Sequence, residues 1–135
     1  MDSDGKILFA NDNALHGLGY TLEEMEKLNV WDVDFLVDSE EKYLKTIKEF
    51  NEMDDSCRPY TIESYHKRKN DEVFPVEIVS KFTNIKDSQY LISYVKDITD
   101  ILKRIEDLKQ QLENKNSIIT ELEKINNEQI NNGNF

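Results

Sequence analysis

The side chains best suited to covalent or acid-base chemistry are few: one cysteine, Cys57, and two histidines, His16 and His66, in 135 residues. A cysteine nucleophile needs an activated thiolate with a base or cation beside it, and Cys57 stands in a polar loop sequence, Asp54-Asp55-Ser56-Cys57-Arg58. Paired carboxylates could serve general acid-base work, and Glu23-Glu24, Glu40-Glu41 and Asp54-Asp55 are such pairs. Each lies at a helix start or in a loop, where its simplest role is capping and solvated charge. The sequence has no Gly-rich phosphate loop, Cys-x-x-Cys, His-Glu-x-x-His or Gly-x-Ser-x-Gly. A non-catalytic module is expected.

Composition narrows the class further. Lys and Arg number 17 against 28 Asp and Glu, a formal charge of −11, and such a field repels nucleic-acid backbones. The lone cysteine excludes an intrachain disulfide framework and fits a reducing cytoplasm. Apolar runs fall far short of the roughly 18 residues of a membrane span, and the opening MDSDGK does not resemble a signal peptide. Direct membrane contact is therefore not expected, although a parent protein of which this chain is an excerpt could be anchored elsewhere.

The elements that must position these residues can be placed from pattern. All six tyrosines, the tryptophan, both prolines and five of six phenylalanines precede residue 100. The sequence predicts a globular unit at 1–99, an extended helix at 100–125 and a polar, frayed tail at 126–135. KILFA (6–10) reads as a strand after an Asp4-Gly5 turn. Asn11 or Asp12 caps a short helix to about Leu18, with Gly17 and Gly19 ending it. Thr21-x-x-Glu24 is a capping box, and Asp38 or Ser39 caps a longer helix over 40–53 with Tyr43, Ile47 and Phe50 on its apolar face. Strand-like runs follow at 60–67, 73–82 and 90–98. Phe74, Val76, Ile78, Ser80 and Phe82 share one face, and 69–72 and 85–88 are hairpin connections. The fold class is α+β: an antiparallel sheet with short helices on one face, then a long C-terminal helix.

Three stretches together resemble the PAS domain family. DSDGKILFANDNALHGLGYTLEEM matches the family's opening at Asp2, Gly5, Ile7, Asn11, Gly19, Tyr20, Thr21, Glu23 and Glu24. KRKNDEVFPVEI matches its hairpin at Phe74-Pro75-Val76-Glu77, with Asn70-Asp71 where Asp-Gly is usual. Asp97-Ile98-Thr99 matches the Asp-Ile-Thr that closes many members before a signalling helix. The resemblance implies a five-stranded sheet whose first strand lies centrally, beside the last. Only Met1 precedes Asp2 here, so that strand is expected to be truncated, its place filled by a second chain or a rearranged dimer.

The resemblance also implies a site for a small molecule between the sheet and the helices. Strand parity puts Val76, Ile78, Ser80, Leu91, Ser93 and Val95 on its sheet side, with Trp31, Phe35, Tyr43 and Ile47 on its helical side, unless these simply form core. Arg58, Tyr60 and His66 are further polar contacts for an organic acid or similar metabolite. The cofactor is unknown. Flavin is disfavoured because Ser56-Cys57-Arg58-Pro59-Tyr60 shares only Cys-Arg with the photosensing pattern and Val95 stands near the position of its flavin-binding glutamine. Haem is disfavoured because 40–53 holds no histidine.

After the joint Asp97, Ile98 and Thr99, a heptad places Ile98, Ile105, Leu112 and Ile119 at a and Ile101, Leu108 and Leu122 at d, with Lys115 breaking the pattern. That spacing predicts a homodimeric coiled coil. Asp97 is expected to accept backbone N–H bonds or pair with a cation, and Thr99 to cap the helix. The resemblance implies a sensor unit that passes a conformational change to an output domain of the same polypeptide, a histidine kinase or diguanylate cyclase. The alternative is a ligand-free PAS domain that only dimerises its neighbours.

Overall fold

The computed structural model describes residues 1–53 and 59–133; Asp54, Asp55, Cys57 and Arg58 lie outside the described residues. Four helices precede the sheet: α1 (Asp12–Leu18), α2 (Leu22–Met25), α3 (Val30–Val33) and α4 (Glu40–Glu52). Then come β1 (Tyr60–Lys67), β2 (Val73–Ile85), β3 (Ser88–Asp97) and α5 (Thr99–Asn131).

Local chemistry accounts for the helix ends. Asn11 accepts from the Ala14 N–H, and α1 stops where Gly19 takes φ 81° and its N–H returns to Leu15 O. Thr21 and Glu24 form the predicted capping box, and Ser39 caps α4 by accepting from the Lys42 N–H. α4 buries Tyr43 and Ile47, as its spacing requires. α3 has too few residues for periodicity to reveal it; Asp32 holds its start by accepting from the Asn29 N–H at 2.8 Å.

The strands pair antiparallel in the order β1-β2-β3. Both hairpins turn without glycine. Asp71 takes φ 68° in the first, and Lys86 and Asp87 take φ 47° and 65° in the two-residue second. β2 alternates as expected, with Phe74, Val76, Ile78 and Ser80 buried, and runs on to Ile85 because Thr83–Ile85 find partners in Tyr90–Ser88.

KILFA is not a strand. Lys6 makes one isolated bridge to Asn29, Ile7 N–H donates to Leu28 O, and Gly5 O accepts from Val30 N–H. The segment opposite turns at once into α3, so no ladder can propagate. Met1 and Asp2 do lie beside β3, the side on which the resemblance puts the first strand. Met1 exchanges two hydrogen bonds with Leu91, at 3.0 and 2.9 Å, and Asp2 bridges Tyr90.

Within Met1–Thr99 the core has two parts. Ile7, Leu18, Met25, Val33, Phe74, Val76 and Ile78 form one cluster; Tyr43, Ile47 and Leu91, with Trp31 and Phe82 against them, form the other. Gly5 sits between the Trp31 and Tyr43 rings: a Cβ there would meet Trp31 Cζ3 at 2.6 Å, and its φ is 86°.

The second unit begins at Asp100, and its residues to Asn131 belong to α5. The 33 residues of α5 span about 50 Å and none is buried. The helix passes residue 125, where a frayed tail was expected, and reaches Asn131. Asn and Gln are tolerated in a helix, and the first breaker is Gly133 at φ 70°. No described helix is long and apolar enough to cross a membrane.

Candidate functional site

The expected ligand-lining residues separate into three groups. Val76 and Ile78 belong to the first cluster, and Val76 has no exposed surface. Trp31, Tyr43, Ile47 and Leu91 come together in the second, with the Trp31 and Tyr43 ring centroids 5.9 Å apart. Ser80 and Ser93 face each other across β2 and β3, their hydroxyls 2.7 Å apart. Phe35 and Val95 are not drawn in. Phe35 is 55% exposed, at the rim of an open cleft of about 230 Å³ shared with Trp31, Asp34 and Lys67. Val95 faces inward opposite Ile78 yet is 40% exposed, because Met1 and Asp2 pair with β3 only at Leu91 and Tyr90.

The polar groups in this interior serve one another. The Tyr43 hydroxyl donates to Asp2 O at 3.2 Å, and burial, with the charges of Asp2 and Asp4, pushes its phenol up to about 12. The Tyr60 hydroxyl donates to Phe50 O at 2.7 Å while the two rings stack. His66 is buried beside Asp34, its Nε2 3.7 Å from Oδ2. Asp34 Oδ1 accepts from the Ser64 hydroxyl at 2.7 Å and from the Leu36 and Val37 N–H groups at 2.9 and 3.0 Å. Burial raises the Asp34 carboxyl, but His66, Ser64 and the Val37 N–H outweigh it and the net shift is downward. His16 is exposed on α1. Among the described residues no group of His, Cys, Asp and Glu could hold a metal ion.

A second constellation forms where β3 meets α5. Asp97 Oδ1 accepts from the Thr99 N–H at 2.9 Å and from its hydroxyl at 2.6 Å. Asp97 Oδ2 accepts from Arg68 at 3.2 Å. Burial pushes the Asp97 carboxyl up, but the Thr99 and Arg68 bonds hold it below its ordinary value. Ile98, the one residue between strand and helix, is buried, and its N–H donates to Pro75 O.

Two expectations change here. The capping acceptor is Asp97, and Thr99 donates its hydroxyl to it. Ile98 is covered within the globular unit, so the exposed stripe of α5 starts at Ile101 and continues through Ile105, Leu108, Leu112, Ile119 and Leu122.

Sequence reasoning missed Asp34, Ser64 and Arg68. Arg68 joins distant elements. Its guanidinium lies 3.7 Å from the Phe74 ring centroid, donates to Gly17 O and Asp97, and pairs with Glu72 at 3.6 Å. The signal for Asp34 was its place between Val33 and Phe35: a carboxylate flanked by apolar residues needs internal donors.

This arrangement offers a packed interior and a polar knot at the root of a helix. Comparisons with known proteins place the fold. The family described as PAS domain matches residues 1–100. No curated protein matches significantly. Among solved structures the chain is similar to the PAS domain of an HTR-like protein from Haloarcula marismortui, at 21% identity and a TM-score of 0.64, covering 73% of this chain and 77% of that one. It is similar to a PAS domain from a two-component sensor histidine kinase, at 17% identity and a TM-score of 0.58, over 72% and 79%. A PAS domain from Desulfitobacterium hafniense aligns at 18% identity and a TM-score of 0.60, over 72% and 87%. The chain, a three-stranded antiparallel sheet with its helices and the Asp97–Thr99 closure, belongs to the PAS domain family.

Proposed function

We propose that this chain is a cytoplasmic sensory module, in keeping with the generally regulatory, non-catalytic character of PAS domains. A small ligand in the interior, or a partner packed against it, biases β3. The Asp97-Ile98-Thr99 joint passes that bias to α5, which pairs with a second copy as a coiled coil and leads to an output domain of the same polypeptide. A histidine kinase or diguanylate cyclase fits that place; one of the similar structures is the PAS domain of a sensor histidine kinase. A strand exchanged from the second copy would cover Val95.

The observation that carries this reading is the joint. Strand becomes helix across one residue, with no glycine or proline, and Asp97 ties that point to Arg68 and Thr99. A stiff joint converts a strand shift into helix rotation, whereas a flexible one dissipates it. In the full-length protein, Asp97→Ala is expected to leave fold and dimer intact and to remove the dependence of output on input. Output that still follows input would reduce Asp97 to an ordinary cap.

A second reading has its own support. The interior is filled by Trp31, Tyr43, Ile47, Val76, Ile78 and Leu91, as expected of a ligand-free PAS domain that only dimerises its neighbours. Native mass spectrometry of the purified dimer separates the two: a small molecule carried at one per chain supports the ligand-bound sensor, and a bare dimer supports this one.

A further inference from the structure

The buried pair Asp34–His66 has no part in the reading above, and it is not isolated. Asp34 Oδ1 is occupied by Ser64 and the Leu36 and Val37 N–H groups, while Oδ2 faces His66 Nε2 at 3.7 Å, longer than a hydrogen bond. The imidazole stands edge-on to the Phe74 ring, with centroids 6.2 Å apart and planes at 86°. The face of that ring carries the Arg68 guanidinium, which holds Asp97, whose other oxygen holds Thr99. Contacts therefore run without interruption from a titratable side chain in the interior to the first residue of α5.

We infer that the protonation state of His66 is communicated to Asp97 and Thr99 through Phe74 and Arg68, which makes the interior a proton-responsive input to the joint. The inference rests on the reading of residues 97–99 as the signalling joint. Histidine is the side chain whose charge changes in the physiological range. Charging His66 gives Asp34 Oδ2 a cationic donor, and the shorter, charge-assisted bond draws the imidazole toward Asp34 and off the edge of Phe74.

The surroundings leave this response to a small set of groups. Asp34 is the carboxylate in contact with His66. Ser64, two residues back on β1, shares its face and already donates to Asp34. Tyr65 alternates to the opposite face, and Lys67, at the end of β1, lines the open cleft with Asp34 and is the cation on that side. Asp38 pairs with Lys42 at 2.7 Å on the surface, and beyond Phe74 the charges are Arg68 with Glu72 and Asp97.

The test is an NMR pH titration of the whole chain, following the His66 ring and the Thr99 backbone amide. The Thr99 amide is expected to show an inflection at the midpoint of His66, to lose it in His66→Gln and to keep it in His16→Gln. In Arg68→Ala, His66 should still titrate while the Thr99 inflection disappears, which tests the route even if His66→Gln does not fold. A Thr99 amide flat through the His66 midpoint, an inflection surviving in both His66→Gln and Arg68→Ala, or a His66 that stays neutral between pH 5 and 8 would overturn the inference. The readout needs neither dimer nor output domain, so its failure is distinct from a signalling assay in which Asp97→Ala behaves as wild type.

Discussion

Residues 1–99 bury two apolar clusters and hydrogen-bond their interior carboxylate and hydroxyls, whereas the 33 residues of α5 bury nothing. The two regions differ little in how well their local patterns specify helix or strand. They differ in where the apolar surface goes. In the globular unit the inward faces of α4 and β2 meet other parts of the same chain. In α5 the stripe from Ile101 to Leu122 faces solvent along its whole length. Most helical stability in proteins comes from packing of an amphipathic face, so the first region carries its own stability and the second is expected to depend on a partner.

The largest break in that comparison is expected at Tyr43. It is 3% exposed, packs on Trp31 and Gly5, and donates to Asp2 O. Tyr43→Ala should cost the globular unit about 3–5 kcal/mol, read from urea unfolding by Trp31 fluorescence. A loss below about 1 kcal/mol would mean that the second cluster collapses onto the vacancy and is not held to one packing.

The next effect in size sits on the polar side of the same unit. Asp34 is buried and its carboxyl is held below its ordinary value despite burial. A depressed carboxyl contributes stability that is fully present above its unfolded value, about 3.9, and is lost as pH falls through the lower folded one. Asp34→Asn keeps the shape, removes the charge, and is expected to cost about 1–3 kcal/mol at neutral pH. It should also flatten the decline that sets in as pH falls below about 5, toward and past the unfolded carboxyl value. Acid unfolding curves of wild type and variant that run parallel would assign the acid sensitivity to other carboxylates.

These effects also mark how far the sequence could be read. Periodicity found α4, the inward face of β2 and the hairpins, because each face has cover and the pattern reports that cover. It failed at KILFA, where a strand-like composition makes only an isolated bridge, and at Val95, whose parity is right but which stays 40% exposed among the described residues. Parity tells which way a side chain points; it does not tell what stands opposite. Asp34, Ser64 and Arg68 escaped for a related reason. Their partners lie roughly 30 or more residues away in sequence, or belong to elements too short to have a period. The joint was legible because its chemistry is local. Asp97 and Thr99 are two residues apart, and only the exchange of donor and acceptor roles needed coordinates.

The smallest effect on the globular unit, and the sharpest on the comparison, is expected from Leu112→Ser. Leu112 is 59% exposed at the centre of the unpartnered stripe, so no contact within residues 1–99 depends on it. The Trp31 unfolding midpoint should move by less than about 0.5 kcal/mol, the range of surface substitutions. The helix should respond quite differently if a second copy covers the stripe. Wild type should sediment as a dimer and lose helical circular dichroism on dilution, because helix and association are linked by mass action. Leu112→Ser should sediment as a monomer, with that helical signal already low at high concentration. A variant that stays dimeric would move the interface off the heptad seam and onto the globular unit. A wild-type chain that is monomeric yet fully helical would show that α5 stands on its own propensity, and the contrast between the two regions would then lie only in burial.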